Sequence, residues 1–469
     1  MNRFRKERNL MSLARTTRSV IFLFLTLFAL LFVTLIHLKV EPHLPLLGAV
    51  ILVCLYGLLT GADWRTLEKG MTSGIVKGLA PILILMMVGL VIASWMYSGT
   101  VPTMLVYGLY WIQPEWFGLS ALFLTILVST FCGSSFTTVG TVGVALMGMA
   151  QAMGISPALA AGAVVCGACF GDKMSPLSDS TNLASGVTGV PLFTHIRHMM
   201  GTTVPAILIT VLLFFVLGHQ GEGVEPTKLK AITHSLEHSF LIHPAALLPP
   251  LAVLGLAWRR LPALPVLLIG CLVSWLLAWW TVPDFSPARL IDVLQNGLQM
   301  KTGNPTVDQI VNKGGLQSMM WTVSLILIAL SLGGLIQALG LFELFLSKVK
   351  RTLTKAGSLI AATAASAVGV NLLAGEMYLS ILLPGQAFQS AFSERGIPAR
   401  FLSRTLEDAG TLVNALVPWG VSGAFFASTL GVPVLEYLPY AFFPILSLVM
   451  TLILGYIRAR AHSSPAPQR

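Results

Sequence analysis

Asp172, Lys173, Ser175, Ser178, Asp179, Ser180, Thr181 and Asn182 crowd one short stretch between two apolar runs. Carboxylates, hydroxyls and a carboxamide are hard oxygen donors, a set suited to a small cation rather than to a soft metal. Pro176 removes a backbone donor and Gly171 loosens the turn before it, so a helix through this stretch is expected to break. The break frees main-chain carbonyls as further ligands. A polar loop in solvent would show the same composition, so the setting of the stretch decides between loop and site.

Three other places carry candidate chemistry. Arg404-Thr405-Leu406-Glu407-Asp408 places Arg404 three and four residues before two acids. It can pair with one of them and leave the other less compensated, with Thr411 one turn further on. The segment 133–138 offers Ser134, Ser135, Thr137 and Thr138. The segment 371–378 offers Asn371 and Glu376. An acid in an otherwise uncharged membrane hairpin is costly and marks a functional candidate. Hydroxyls in such hairpins serve helix packing and backbone bonding just as readily.

The elements that must position these groups are membrane helices. Of 469 residues, 55% are hydrophobic and 10% charged, and mean hydropathy is +0.81. Soluble domains carry about 25% charged residues, so the chain reads as an all-α polytopic membrane protein. Apolar runs able to cross a bilayer are 20–38, 44–60, 79–98, 199–217, 241–257, 262–280, 319–339 and 437–456. The runs 157–190 and 401–430 are long and interrupted, and 117–153 and 358–392 read as re-entrant hairpins. That pattern predicts a net ten crossings with both termini on one side.

The net charge of +10 calls for no nucleic acid. Arg3, Arg5, Lys6, Arg8, Arg15 and Arg18 form a cytoplasmic flank, and the apolar run after them reads as a retained first helix rather than a signal peptide. Basic residues gather at 65–77, 197, 259–260, 348–355, 395–404 and 458–460, whereas 101–115 has none. The 343–357 loop is therefore expected inside and the 283–318 loop outside.

The chain also repeats itself. An offset of 242 residues pairs Gly133 with Gly375, Gly154-Ile155 with Gly396-Ile397, Pro176 with Pro418, and Gly189-Val190-Pro191 with Gly431-Val432-Pro433. The basic loop at 348–355 falls on the uncharged 106–113, so the copies are expected in opposite orientation. That is the inverted repeat of a secondary transporter, with two broken helices and two hairpins. Under it Asp172 overlays Asn414. The expected organisation is a basic cytoplasmic N-terminus (1–19), a first transmembrane half (20–217), a connecting loop and helix (218–261), a second half (262–457) and a cytoplasmic tail (458–469).

Cys54, Cys132, Cys166, Cys169 and Cys271 all lie in or beside apolar runs. The Cys166-x-x-Cys169 spacing has no second pair or nearby His to complete a zinc site. His234, His238 and His243 read as surface histidines, and Tyr110, Trp111, Trp116, Trp279 and Trp280 as interfacial aromatics. An intramembrane aspartyl protease would show Gly-x-Gly-Asp where residues 169–172 read Cys-Phe-Gly-Asp. A passive channel suits paired broken helices less well than alternating access. No enzymatic activity and no cofactor are expected.

Phe-Gly-Asp-Lys-Met-Ser-Pro-Leu-Ser-Asp-Ser-Thr-Asn-Leu-Ala at 170–184 resembles the NhaC family of Na+/H+ antiporters. So do Thr-Val-Gly-Thr-Val-Gly at 138–143, Leu-Ser-Arg-Thr-Leu-Glu-Asp-Ala-Gly-Thr at 402–411 and Val-Pro-Trp at 417–419. The resemblance spans nearly the whole chain and implies exchange of Na+ against H+ across the cytoplasmic (inner) membrane. It places Asp172, Asp179, Thr181, Asn182, Glu407, Asp408 and Thr411 at motif positions, with Ser175, Glu376 and Asn414 as further ion-binding candidates. Na+ is expected at Asp172 and Asp179, with Lys173 and Arg404 as charge partners. Asp179 has no basic neighbour in its turn and is expected to alternate between Na+ and H+, buried between the broken helices. Gly420, Glu376-Met377 and Val413 depart from the family pattern. Some relatives are thought to exchange organic acids such as malate and lactate. In that alternative Gly420 and Met377 make room for an organic acid or amino acid. The expected partners are Na+, H+ and the lipid bilayer, and a homodimer is compatible with such a chain.

Overall fold

A computed structural model of the chain describes residues 17–38, 40–218, 226–259, 261–352 and 356–462. Arg18 falls within them. The remaining N-terminal basic residues named above, Lys355 and the tail from 463 onward lie outside the described residues.

Apolar composition without internal backbone partners leaves helix as the form that satisfies every peptide group in lipid, and no strand occurs among the described residues. Seven described helices are long and apolar enough to cross a membrane, or nine if two bent pairs each count as one. This makes the protein a multi-pass membrane protein. The bent pairs are Thr227–Ser239 with Pro244–Trp258, at 93°, and Val421–Leu430 with Val434–Tyr440, at 88°. One expected run comes out shorter than read. The 44–60 run forms helix His43–Leu59, shifted by one residue, whereas the 241–257 run begins only at Pro244, where the proline-rich start bends it against the preceding helix.

The first interrupted run forms helix Pro157–Met174, an irregular turn at 175–178, and helix Asp179–Thr188. The second forms helix Ala399–Leu406, a π-helical turn Glu407–Thr411, residues Leu412–Asn414, a break at 415–420, and helix Val421–Leu430. Helices Asp179–Thr188 and Val421–Leu430 differ by the same 242 residues at both ends.

The two tips obey the same offset. Gly133, at φ 62°, ends helix Phe117–Cys132, and Ser134 then caps the next turn by accepting from the Thr137 amide at 3.2 Å. Gly375, at φ 66°, follows helix Ala356–Ala374, and Glu376 caps helix Met377–Glu394 by accepting from the Leu379 amide at 2.7 Å. A left-handed residue followed by a capping side chain suits a helix that stops and restarts within a few residues. A side chain on Gly133 would strike Leu177, and one on Gly375 would press against Trp419 O. Each tip therefore packs on its own break, at positions again 242 residues apart.

Gly171 does not loosen a turn; it lies inside helix Pro157–Met174. A Cβ there would meet Ser129 Cβ and Thr130 N at 2.5 Å, and one on Gly167 would meet Thr125 Oγ1 at 2.0 Å. The pair lets this helix lie against Phe117–Cys132 at small-residue spacing, and Ser129 Oγ donates to Ala168 O at 2.6 Å across the contact. That seam sets the height of Asp172.

Candidate functional site

Asp172 stands in the last turn of helix Pro157–Met174, buried, where the negative end of the helix favours a cation. Ser135, at the first tip, holds Oδ2 with its amide at 3.1 Å and its hydroxyl at 2.6 Å. Oδ1 has no hydrogen-bond partner among the described residues. A buried carboxylate oxygen left open in this way is costly unless a cation or proton takes it.

The other oxygens of the stretch divide into two groups. Ser175 Oγ accepts from the Leu177 amide at 3.2 Å, and Thr181 Oγ1 donates to Lys173 O at 3.0 Å. Asn182 Nδ2 donates to Pro176 O and Ser178 O, at 3.0 and 2.6 Å. These three side chains hold the break in shape. Asp179 was expected to be buried between the broken helices, but it is exposed. It opens helix Asp179–Thr188, where Oδ1 accepts from the Ser180 amide and Oδ2 accepts from Tyr378 Oη. A helix start has free amides to offer a carboxylate, which draws Asp179 outward along its own axis.

Lys173 does not act on its neighbour Asp172. Its ammonium reaches the second broken helix and pairs with Asp408 Oδ1 at 2.5 Å, both side chains fully buried. It also lies 5.5 Å from the centre of the Phe443 ring. Asp408 Oδ2 accepts from Thr202 Oγ1 at 3.0 Å and from Thr451 Oγ1. Neutralised by Lys173 in a fully buried ion pair, Asp408 is a charge partner rather than an open cation ligand, and the partner expected from sequence, Arg404, has lost that acid to Lys173. Arg404 is buried with its guanidinium 5.3 Å from the centre of the Phe401 ring.

Glu407 is also buried, and its Oε1 accepts from Ser180 Oγ at 3.1 Å. Thr411, one turn on, is a nearby hydroxyl that makes no hydrogen bond among the described residues. Both groups lie in the π-helical turn Glu407–Thr411, an irregularity that recurs at functional sites.

The second half-site is closed. Asn414, which overlays Asp172, donates to Asn371 Oδ1 at 3.0 Å and Gly375 O at 3.2 Å, and accepts from the Ser422 amide at 2.7 Å. Asn371 Nδ2 donates to Gly410 O at 2.6 Å, Trp419 Nε1 to Leu372 O at 2.8 Å and Tyr437 Oη to Ala415 O at 2.6 Å. Glu376, read as a functional acid, is engaged as the helix cap described above. Gly420 opens no room either, because a Cβ on it would meet Asn414 O at 2.9 Å. Met377 is packed against Ser422. Of the first-tip hydroxyls, Ser135 alone reaches a carboxylate; Thr137 bonds Ser134 Oγ and Thr138 bonds Ser134 O.

Sequence reading counted Ser180 among the oxygens of the stretch without giving it a role, and passed over Tyr378, Thr202 and Thr451, which bond the acids, and His195, which faces Glu407. Ser180 lies inside the motif and was within reach. The others come from distant segments, and only folding identifies them.

The Na+/H+ antiporter family model matches residues 167–458. The chain is 53% identical over 429 residues to the Na+/H+ antiporter NhaC of Alkalihalophilus pseudofirmus, covering 92% of this chain and 93% of that one. It is 47% identical over 438 residues to the Na+/H+ antiporter NhaC of Bacillus subtilis, covering 93% and 97%. It is also 34% identical to the malate-2H+/Na+-lactate antiporter of Bacillus subtilis, over 90% of each chain.

Proposed function

The chain belongs to the NhaC family of Na+/H+ antiporters, and we infer from this that it exchanges Na+ for H+ across the membrane by alternating access. The observation that carries the site is Asp172 Oδ1, a buried carboxylate oxygen without a partner at the end of a broken helix. Na+ binds there, with Ser135 fixing the carboxylate from the first tip. Asp179, exposed and on the next helix, supplies the second negative charge on the approach. The exposed position suits a ligand that meets the ion first. Lys173–Asp408 ties the two broken helices together across the halves.

The repeat is inverted in this reading, and the segments around Gly133 and Gly375 are re-entrant tips that do not cross. The matched tip and break contacts at a constant offset support it. The domain limits follow the same scheme: first half 20–217, connection 218–261 and second half 262–457. Both termini lie in the cytoplasm, and the membrane is the cytoplasmic one.

An organic solute is not part of the cycle, because Asn414 and Val417 fill the space that Gly420 would have opened. Vesicles containing only this protein, loaded with a pH dye, test the reading. A Na+ pulse should move the internal pH without any organic acid present. A response that appears only when malate, lactate or an amino acid is added would overturn it.

A further inference from the structure

His195 and Glu407 come from helix Leu192–Gly218 and from the π-helical turn, and both side chains are fully buried. Nε2 of His195 faces Oε2 of Glu407 at 4.0 Å, and neither atom makes a hydrogen bond among the described residues. The outer side of each group is fixed. Ser180 donates to Glu407 Oε1 at 3.1 Å. Ser403 Oγ donates to Arg400 O at 3.2 Å, which leaves it to accept a hydrogen bond from His195 Nδ1–H, 2.9 Å away.

That chain of donors sets the tautomer. A neutral His195 carries its hydrogen on Nδ1 and turns a lone pair at Nε2 toward the lone pairs of Glu407. Two acceptors facing each other in a dry interior repel, and one proton between them turns the repulsion into a hydrogen bond. The surrounding charges leave this need unmet. Lys173, a cation within electrostatic reach of both groups, is bound to Asp408, and Asp172 is a second acid within electrostatic reach of Glu407. Thr411 is the remaining polar neighbour on the turn, and Arg404 sits beside Ser403 over the Phe401 ring.

We propose that His195 and Glu407 together hold one proton, and that this is the proton the cycle takes up and releases. The pair is joined to the Na+ site by hydroxyls. Ser180 bonds Glu407, Ser178 lies 3.1 Å from Ser180, and Ser178 stands beside Asp172. Arrival of Na+ at Asp172 adds positive charge to this line and favours loss of the proton at its far end. No bond other than the proton's own is made or broken: Nε2 or Oε2 releases it, and it leaves to water.

The proposal rests on the Na+/H+ exchange reading, and the test separates the two. Na+ is titrated into the purified full-length protein by calorimetry, in two buffers of unlike ionisation heat and over a range of pH. Wild type should release protons as Na+ binds; if it binds no Na+, or binds it without proton release, the exchange reading itself fails. Ser403→Ala frees the imidazole to flip its tautomer and donate to an ionised Glu407, so the shared proton is held less tightly. The midpoint of proton release should then fall by about one pH unit, a tenfold loss, with Na+ binding retained. His195→Gln, whose amide can donate in the same place, should move the midpoint in the same direction. Wild-type midpoints in both variants, with Na+ still bound, would overturn the proposal. Ser403→Ala deletes a single oxygen and decides the matter if His195→Gln fails to fold.

Discussion

Lys173 and Asp408 lie 235 positions apart in sequence and meet with no solvent around either. Removing one member of a buried pair strands the other's charge, at a cost of about 3–5 kcal/mol, whereas replacing both with apolar groups is often near neutral. Lys173→Met should therefore lower thermal stability sharply in detergent, and Lys173→Met with Asp408→Leu should recover much of it. Equal losses in the single and double variants would mean that the pair does not carry the stability. The two aspartates of the proposed Na+ site should separate kinetically. Asp172→Asn removes the charge proposed to hold the ion and should leave no Na+-driven proton movement. Asp179→Asn removes a charge at the approach and should raise KM for Na+ about tenfold, roughly 1.4 kcal/mol, with kcat largely kept. If Asp179→Asn is dead and Asp172→Asn retains exchange, the order of the two ligands is reversed. Residue types alone led to Asp172 and to the acids at 407–408. They could not say that Lys173 serves Asp408, because that pairing depends on the crossing of two helices and not on spacing along either one.

At the scale of the element, the breaks and tips were legible because glycine and proline act locally. Pro176 and Pro418 stop helices, and Gly133 and Gly375 take a left-handed conformation that other residues avoid. Gly171 was misread for the opposite reason: its use is set by Ser129 and Thr130 on another helix, and nothing near it in sequence reveals that neighbour. The seam makes a measurable claim. Gly167→Val places a branched side chain where Thr125 Oγ1 and Leu122 O already stand, at 2.0 and 2.4 Å from the first carbon alone. Overpacking of this kind costs about 1–3 kcal/mol, and the strain falls on the helix that carries Asp172. Thermal stability and Na+ affinity should both drop, with the larger loss in affinity if the carboxylate is displaced from Ser135. Gly186→Ala is the matched control, since nothing lies within 4 Å of its Cβ position. A Gly167→Val protein with wild-type stability would show that the two helices are not held at this distance.

At the scale of the whole molecule, the two halves meet through unlike chemistry. The first break keeps an open carboxylate, and the second is sewn shut by Asn371, Asn414, Trp419 and Tyr437. With the repeat inverted as proposed, the two breaks lie on opposite approaches to one centre, and an asymmetric pair gives one ion site and one support. Everything in that scheme depends on orientation, which charge placement predicts. The 283–318 segment carries helices Pro287–Asn296 and Pro305–Val311 and should lie outside, while the end of helix Met377–Glu394 lies beside the basic residues Arg395 and Arg400 and should lie inside. Both sites can be read with one cysteine each, after Cys54, Cys132, Cys166, Cys169 and Cys271 have been replaced by Ser or Ala. Ser286 precedes helix Pro287–Asn296, and Glu394 ends helix Met377–Glu394 with its side chain 65% exposed, so each can carry a thiol. A membrane-impermeant maleimide applied to intact cells should label Ser286→Cys and spare Glu394→Cys, and both should react once the membrane is opened. Labelling of Glu394→Cys but not Ser286→Cys would turn the molecule over and place both termini outside. Labelling of both from outside would break the expected topology of the second half, because the 283–318 segment and the end of helix Met377–Glu394 would then lie on one side of the membrane.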